Sequence, residues 1–325
     1  MRFIVFGAGG VGGVIGGRLA QHGYEVVLIG RPSQCHAVAH RGLTIESPDS
    51  ISTVRVKIVE SPKDVQWTPG DVVFLTMKTQ DTLAALQDLA AVAPAEVPIV
   101  CVQNAVENER LAQRWFERVY GICVMCPTEF LVPGVVRAWS SPVTGILDIG
   151  RYPTGIDEVT DNIAAILRTS SFHCQPRGDI MRWKYGKLLM NLGNATEALC
   201  GPSARTSAIT ANARQEGVDC FRAAGIAYVG NDEEKERRGN LLQLGDIAGQ
   251  GRSGGSSWQS LQRRTGTIEA DYLNGEVSLL GKLHGVATPT NTMLQRLANE
   301  AARAARAPAS MTIEELESQL RRPSS

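Results

Sequence analysis

The sequence has no apolar run that approaches the ~20 residues a membrane-spanning helix needs, so no membrane partner is expected. It also lacks an excess of charge of either sign: 33 Lys and Arg balance 33 Asp and Glu, for a net charge of zero. A nucleic-acid binder would show a basic bias, and no nucleic-acid partner is expected. The cysteines number 7 and are scattered; an odd, dispersed set disfavours a disulfide framework and fits a reducing compartment, with cytoplasm as the expected location. The 5 histidines (22, 36, 40, 173, 284) show no metal-ligand spacing. Cys123 and Cys126 lie three apart on an expected strand and so face opposite ways, as buried structural thiols would. No metal site is expected. The opening Phe3-Ile4-Val5-Phe6 reaches Gly7 after too few apolar residues for a secretory signal.

What the sequence does have is length and glycine. Its 325 residues, 43% of them hydrophobic, exceed one ordinary domain and can bury a sizeable core. Its 33 glycines exceed the ~7% of average usage, and many fall in 7–17 and 245–255. The first cluster opens a recognisable unit. Phe3–Phe6 reads as a buried parallel strand, Gly7-Ala8-Gly9-Gly10-Val11-Gly12 follows at once, Val14, Ile15, Leu19 and Ala20 recur at helical spacing, and Val26–Ile29 is the next strand. In such a strand–turn–helix–strand unit the first glycine allows the tight turn. The second lets a pyrophosphate approach the backbone, and the third permits close helix–strand packing. The helix start then offers N–H groups to phosphates. After the second strand comes Ile29-Gly30-Arg31-Pro32, with no acid to bond a ribose 2′-hydroxyl. Arg31 can pair with a 2′-phosphate, which favours NADP(H).

Two further buried strands end in polar groups. Asp71–Lys78 reads as one such strand, ending in a cation, and Pro98–Asn104 as another, ending in amides. Ligands of open α/β sheets sit beyond the carboxyl ends of strands, so Lys78 and Asn104 are expected at a cofactor crevice. Strand-like runs continue to about 177. Helical patterns dominate from Ile180: Lys187, Asn191 and Asn194 form one polar stripe on an apolar helix, where polar groups are costly without partners. Residues 232–238 read as a solvated charged helix face, 245–255 as a mobile loop, and Ser256–Gln259 as the capping box of a long helix carrying Glu269 and ending at His284-Gly285. The expected architecture is α/β: an N-terminal Rossmann-type doubly wound sheet over 1–177, an all-α domain over 178–307, and a flexible tail over 308–325 in which Thr312–Leu320 could form a short helix.

Taken in order, these landmarks resemble the ketopantoate reductase (2-dehydropantoate 2-reductase) family from Met1 to about Arg303. The resemblance implies that Gly7–Gly12 (Gly7, Ala8, Gly9, Gly10, Val11, Gly12) and Arg31 bind NADP(H), and that Lys78 and Asn104 contact cofactor or substrate. It implies that Lys187 is the proton donor with Asn191 one turn on, and that Ser257 and Glu269 bind the substrate, with Asn194 beside them. The implied reaction is NADPH-dependent reduction of a small 2-oxo acid, ketopantoate to pantoate, in pantothenate biosynthesis, by a monomer or homodimer. The chain departs from the family pattern in reading Ala195 where a second Asn is usual, with Asn194 one place early. It also reads Asn104-Ala105 for Asn-Gly, Ile268 before Glu269, and Leu261 where an acid is usual. These changes keep two alternatives in view: a reductase of a different 2-oxo acid or imine, and a non-catalytic NADP(H)-binding sensor. The presence of Lys187, Ser257 and Glu269 speaks against the sensor, which would need none of them.

Overall fold

A computed structural model describes residues 1–320. The chain divides into two compact units, the first formed by Met1–Lys184 with Asn231–Arg252, the second by Tyr185–Gly230 with Ser253 onward. The strands are β1 (Arg2–Phe6), β2 (Val26–Ile29), β3 (Leu43–Ser47), β4 (Ser50–Val54), β5 (Lys57–Val59), β6 (Asp71–Leu75), β7 (Ile99–Cys101), β8 (Val119–Met125), β9 (Thr128–Glu129), β10 (Val135–Ala138), β11 (Gly145–Arg151) and β12 (Phe172–His173). The helices are α1 (Gly10–Gln21), α2 (Pro32–Arg41), α3 (Thr82–Ala90), α4 (Asn108–Ala112), α5 (Glu158–Thr169), α6 (Ile180–Asn191), α7 (Gly193–Cys200), α8 (Ala208–Ala224), α9 (Asn231–Arg238), α10 (Ser256–Gln262), α11 (Asn274–His284), α12 (Pro289–Arg303) and α13 (Ile313–Leu320).

In the first unit an eight-stranded sheet runs β12-β11-β8-β7-β6-β1-β2-β5. The strands from β5 to β8 in that order pair in parallel, β11 is antiparallel to β8, and β12 is parallel to β11. Buried on both faces, β2 and, after Asp71, β6 are continuous apolar runs of Val, Leu, Ile and Phe, as a covered parallel sheet requires. From β1 the chain builds outward to β2 and β5, then returns to the other side of β1 to lay down β6, β7 and β8. The order therefore reverses between β1 and β6, which is where doubly wound sheets place their ligands.

A second sheet, β4-β3-β10-β9, was not legible in the sequence as a layer of its own, and it accounts for the glycines of α1. That helix lies between two sheets. A Cβ on Gly16 would come within 2.5 Å of Leu28, whereas one on Gly13 would meet Val136 at 2.7 Å and one on Gly17 would meet Ile45 at 2.6 Å. Glycines four apart make one shallow face, and here Gly12 and Gly16 seat α1 on the large sheet while Gly13 and Gly17 seat the small sheet on α1.

The second unit is helical. α11 packs on α8 and α12, while α7 packs on α10 and α12. The tail expected to be flexible is docked as far as it is described: Ala309 N and Met311 N donate to Ala198 O and Leu199 O at 3.0 and 3.1 Å, and Leu316 of α13 is fully buried. The remainder of that stretch lies outside the described residues.

Three further expectations are corrected. The first unit extends past residue 177 to Lys184 and takes in 231–252, because the charged helix α9 is not wholly solvated. Its Arg237 is buried and clamps the carboxylate of Asp148, also buried, with Nε donating to Oδ2 at 2.6 Å. The long helix expected from Ser256 is broken: Arg264 and Gly266 adopt φ of +51° and +74°, ending α10 and leaving Glu269 at the start of a short 3₁₀ turn, Glu269–Tyr272. Nor is Ser256 a cap. Gly255 takes that position, and its N–H is held by the Glu197 carboxylate at 3.0 Å.

Candidate active site

The turn after β1 is built as its glycines require. Gly7 sits at φ +113°, and a Cβ there would press to 2.6 Å on Met77 N; one on Gly12 would come within 2.3 Å of both Gly7 O and Thr76 Oγ1. Thr76, just past the end of β6, donates to Phe6 O and Gly7 O at 2.9 Å each. The loop is thus fastened to both strands of the switch point. Gly9 differs from its neighbours, since a Cβ there would meet nothing nearer than Gly7 O at 4.0 Å. The first turn of α1 holds no acid, and its cap has no side-chain hydrogen bond. An open backbone at the positive end of a helix fits a diphosphate, and the residues present therefore fit a dinucleotide.

Arg31 caps α2 immediately after β2 and is exposed, its guanidinium 3.9 Å from the Asp81 carboxylate. Lys78 and Asn104 lie in loops rather than at the strand ends themselves, each three residues beyond its strand, since β6 ends at Leu75 and β7 at Cys101. Both are half-buried. Ala105 follows at φ +65°, a left-handed backbone in which glycine would be unstrained.

Beneath these loops lies a pair that sequence reasoning missed. Glu109, on α4, and Lys184, on α6, are almost wholly buried and form an ion pair. Lys184 Nζ also donates to Gln103 O at 3.1 Å. Burial pushes the Glu109 carboxyl above its ordinary range, against the pull of the Lys184 ammonium. The sequence carried one signal for it: an acid on a short helix that closely follows a buried strand.

In the second unit Lys187 is half-buried on α6 and Asn191 is buried one turn further on. The Asn191 Nδ2 is buried with no hydrogen-bond partner among the described residues. Asn194 sits in α7, past a break at Leu192, and its Oδ1 accepts from Arg205 Nη1 at 2.9 Å. Arg205 also pairs with the buried Glu197, which secures Gly255 ahead of α10. Glu197 therefore positions the start of the helix carrying Ser257; a carboxylate within the apolar run Ala195–Leu199 was its only trace in the sequence. Ser257 and Glu269 are each 2% exposed, and Leu261 and Ile268 beside them are equally buried.

Comparison with known proteins decides what these parts belong to. The family model described as ketopantoate reductase PanE/ApbA matches residues 3–153, and the model of that family's C-terminal domain matches residues 179–302. The chain belongs to the ketopantoate reductase family. It is 26% identical to 2-dehydropantoate 2-reductase of Pyrococcus horikoshii over 91% of this chain and 96% of that protein, and 27% identical to the Caulobacter vibrioides protein of the same name over 92% and 98%. Among solved structures, a PanE/ApbA family ketopantoate reductase from Ralstonia eutropha superposes with a TM-score of 0.78 at 26% identity, over 94% of this chain and 99% of that one. D-mandelate dehydrogenase in complex with NADH and anilino(oxo)acetate shares the fold, with a TM-score of 0.81 at 21% identity over 94% and 99%. This ketopantoate reductase family member is an oxidoreductase, and reductases of this family act on 2-oxo acids with a nicotinamide cofactor. Among the described residues no helix is long and apolar enough to cross a membrane, and no group of three or more His, Cys, Asp or Glu could hold a metal ion.

Proposed function

We propose that this protein reduces ketopantoate to pantoate with NADPH. The observation that carries the reading is the placement on α6 of Lys187 one turn before Asn191, whose buried Nδ2 has no partner among the described residues. A buried amide donor left unpaired costs about 1–3 kcal/mol, a cost that a substrate oxygen would remove. The cofactor, when bound, supplies the hydride. Gly7–Gly12 would hold its diphosphate, Arg31 its 2′-phosphate, and Lys78 and Asn104 its ribose or the substrate. As charge develops on the ketone oxygen, Lys187 stabilises it and delivers the proton from Nζ. Asn191 orients Lys187 or the substrate. Ser257 takes the substrate carboxylate and Glu269 accepts from the substrate hydroxyl, with Asn194 supporting this side through Arg205.

Arg31→Ala tests the cofactor reading. Loss of charged hydrogen bonds to the 2′-phosphate should remove about 1.5–3 kcal/mol of NADPH affinity, roughly 10- to 150-fold, and leave NADH affinity unchanged. Fluorescence titration with both cofactors measures it; equal affinities for NADPH and NADH in the unmodified protein would refute the assignment.

The substrate is tested by NADPH oxidation at 340 nm against a panel of 2-oxo acids. A site that hydrogen-bonds a hydroxyl discriminates strongly against analogues without it. Ketopantoate should therefore exceed its deoxy analogue, 3,3-dimethyl-2-oxobutanoate, by well over roughly tenfold in kcat/KM, and Glu269→Gln should narrow that gap. The buried Leu261 and Ile268 flanking Ser257 and Glu269 favour a second reading, a bulkier apolar or aryl 2-oxo acid. A preference for the deoxy compound or for phenylglyoxylate, with Glu269→Gln altering all substrates alike, would select it.

A further inference from the structure

One side chain ties together the two loops that carry Lys78 and Asn104. Asn108, at the start of α4, is fully buried. Its Nδ2 donates to Asn104 O at 2.9 Å and to Thr79 Oγ1 at 3.3 Å, and its Oδ1 accepts from Thr82 Oγ1 at 2.8 Å. Thr82 Oγ1 accepts from Gln103 Nε2 at 3.1 Å, and Thr79 Oγ1 donates to Asn104 O at 3.3 Å. Thr79, Thr82 and Gln103 are themselves at most 4% exposed. The ring of bonds is thus closed between residues 79–82 on one side and 103–108 on the other.

Filling space alone would not need such a ring, because apolar side chains of the same volume would serve without the cost of burying polar groups. Neutral hydrogen bonds are strong in a low-dielectric interior, and these are made together in only one placement of the two loops. Beside it stands Ala105 at φ +65°. A non-glycine residue persists there only when its surroundings over-determine the backbone, and the bonds to the adjacent Asn104 carbonyl do that.

We propose that Asn108, together with Thr79 and Thr82, is a positioning residue. It fixes the loop backbones so that Lys78 and Asn104 meet the nicotinamide cofactor in a set geometry, and it touches neither cofactor nor substrate. The inference rests on the reading that Lys78 and Asn104 contact the cofactor.

Asn108→Ala leaves several buried groups unpaired and can unfold the first unit, so the decisive variants are isosteric. Thr82→Val and Thr79→Val each remove one hydroxyl and keep the shape, whereas Thr82→Ser and Thr79→Ser keep the hydroxyl. Ile163→Val, in the core on α5 and away from both loops, controls for a small loss of stability. The readouts are the Kd for NADPH by nucleotide fluorescence, kcat with the best 2-oxo acid of the panel, and Tm. The valine variants should weaken NADPH binding roughly three- to tenfold and lower kcat, the serine variants should recover to within about twofold, and Ile163→Val should change Tm alone. Valine variants that lower Tm as Ile163→Val does, with Kd and kcat unchanged, would overturn the proposal and leave the ring purely structural. Lys78→Ala and Asn104→Ala separate the two levels. If neither alters Kd or kcat, the cofactor-contact reading falls and takes this inference with it; if they do and the valine variants do not, this inference alone falls.

Discussion

Replacing Lys187 with Ala should lower kcat by roughly 10²–10⁴, the usual share of a positioned proton donor, while NADPH binding stays within about twofold. The expectation follows from where the side chain stands. Lys187 is half-buried on α6, with Asn191 one turn on presenting a buried Nδ2 that no group among the described residues satisfies. A lysine that served only to pack α6 would, on truncation, cost stability and leave the turnover of the folded enzyme intact. Partial recovery of turnover by added methylamine would mark the loss as chemical. Steady-state kinetics beside a fluorescence titration of NADPH decides the matter, and normal turnover by the variant would remove Lys187 from the mechanism.

The second large effect belongs to the buried pair. Lys184→Met should destabilise the first unit by about 3–5 kcal/mol, because it strands the Glu109 carboxyl in the interior without its cation. At 2–4 °C per kcal/mol for units of this size, Tm should fall by roughly 6–20 °C. The pH dependence has a definite sign. Burial already holds the Glu109 carboxyl above its ordinary value, and the Lys184 ammonium works against that shift; removing Lys184 raises the carboxyl further. An acid whose folded value is raised binds more protons in the folded than in the unfolded chain, so stability declines as pH rises from the unfolded carboxylate value, ~4.3, up to the raised folded value. Lys184→Met should accordingly be closer to the parent at pH 5 than at pH 8, and adding Glu109→Gln should recover much of the loss. Thermal denaturation across pH tests this. A loss that is the same at both pH values and unrelieved by Glu109→Gln would show that packing by the lysine stem, rather than its charge, holds the site.

The two effects differ in how far the sequence announced them. Lys187 and Asn191 were legible because helical periodicity puts them on one face of an otherwise apolar segment, where polar residues stand out. Lys184 and Glu109 are far apart in the chain, and no local pattern links them. Asn108 likewise looks like an ordinary helix start until the loops after β6 and β7 are brought together around it. Asn194 shows the opposite case: the sequence placed it on the stripe, but the chain breaks at Leu192 and folding brings Arg205 against its side chain.

By itself the sequence determined whatever depends on short-range geometry. The order of strand, glycine turn and helix at Gly7–Gly12 follows from the steric limits of the backbone, the buried parallel strands follow from uninterrupted apolar runs, and the absence of an acid after β2 follows from reading one position. Only the tertiary structure decided which distant groups meet. It made Gly12, Gly13, Gly16 and Gly17 of α1 into two packing faces by laying a second sheet on the helix, and it drew α9 into the first unit through Arg237 and Asp148. It also broke the helix before Glu269 and buried a lysine against a carboxylate under the loops after β6 and β7. Each is a choice among long-range contacts, and burial and the pairing of charges set its energy only once the partners have been brought together.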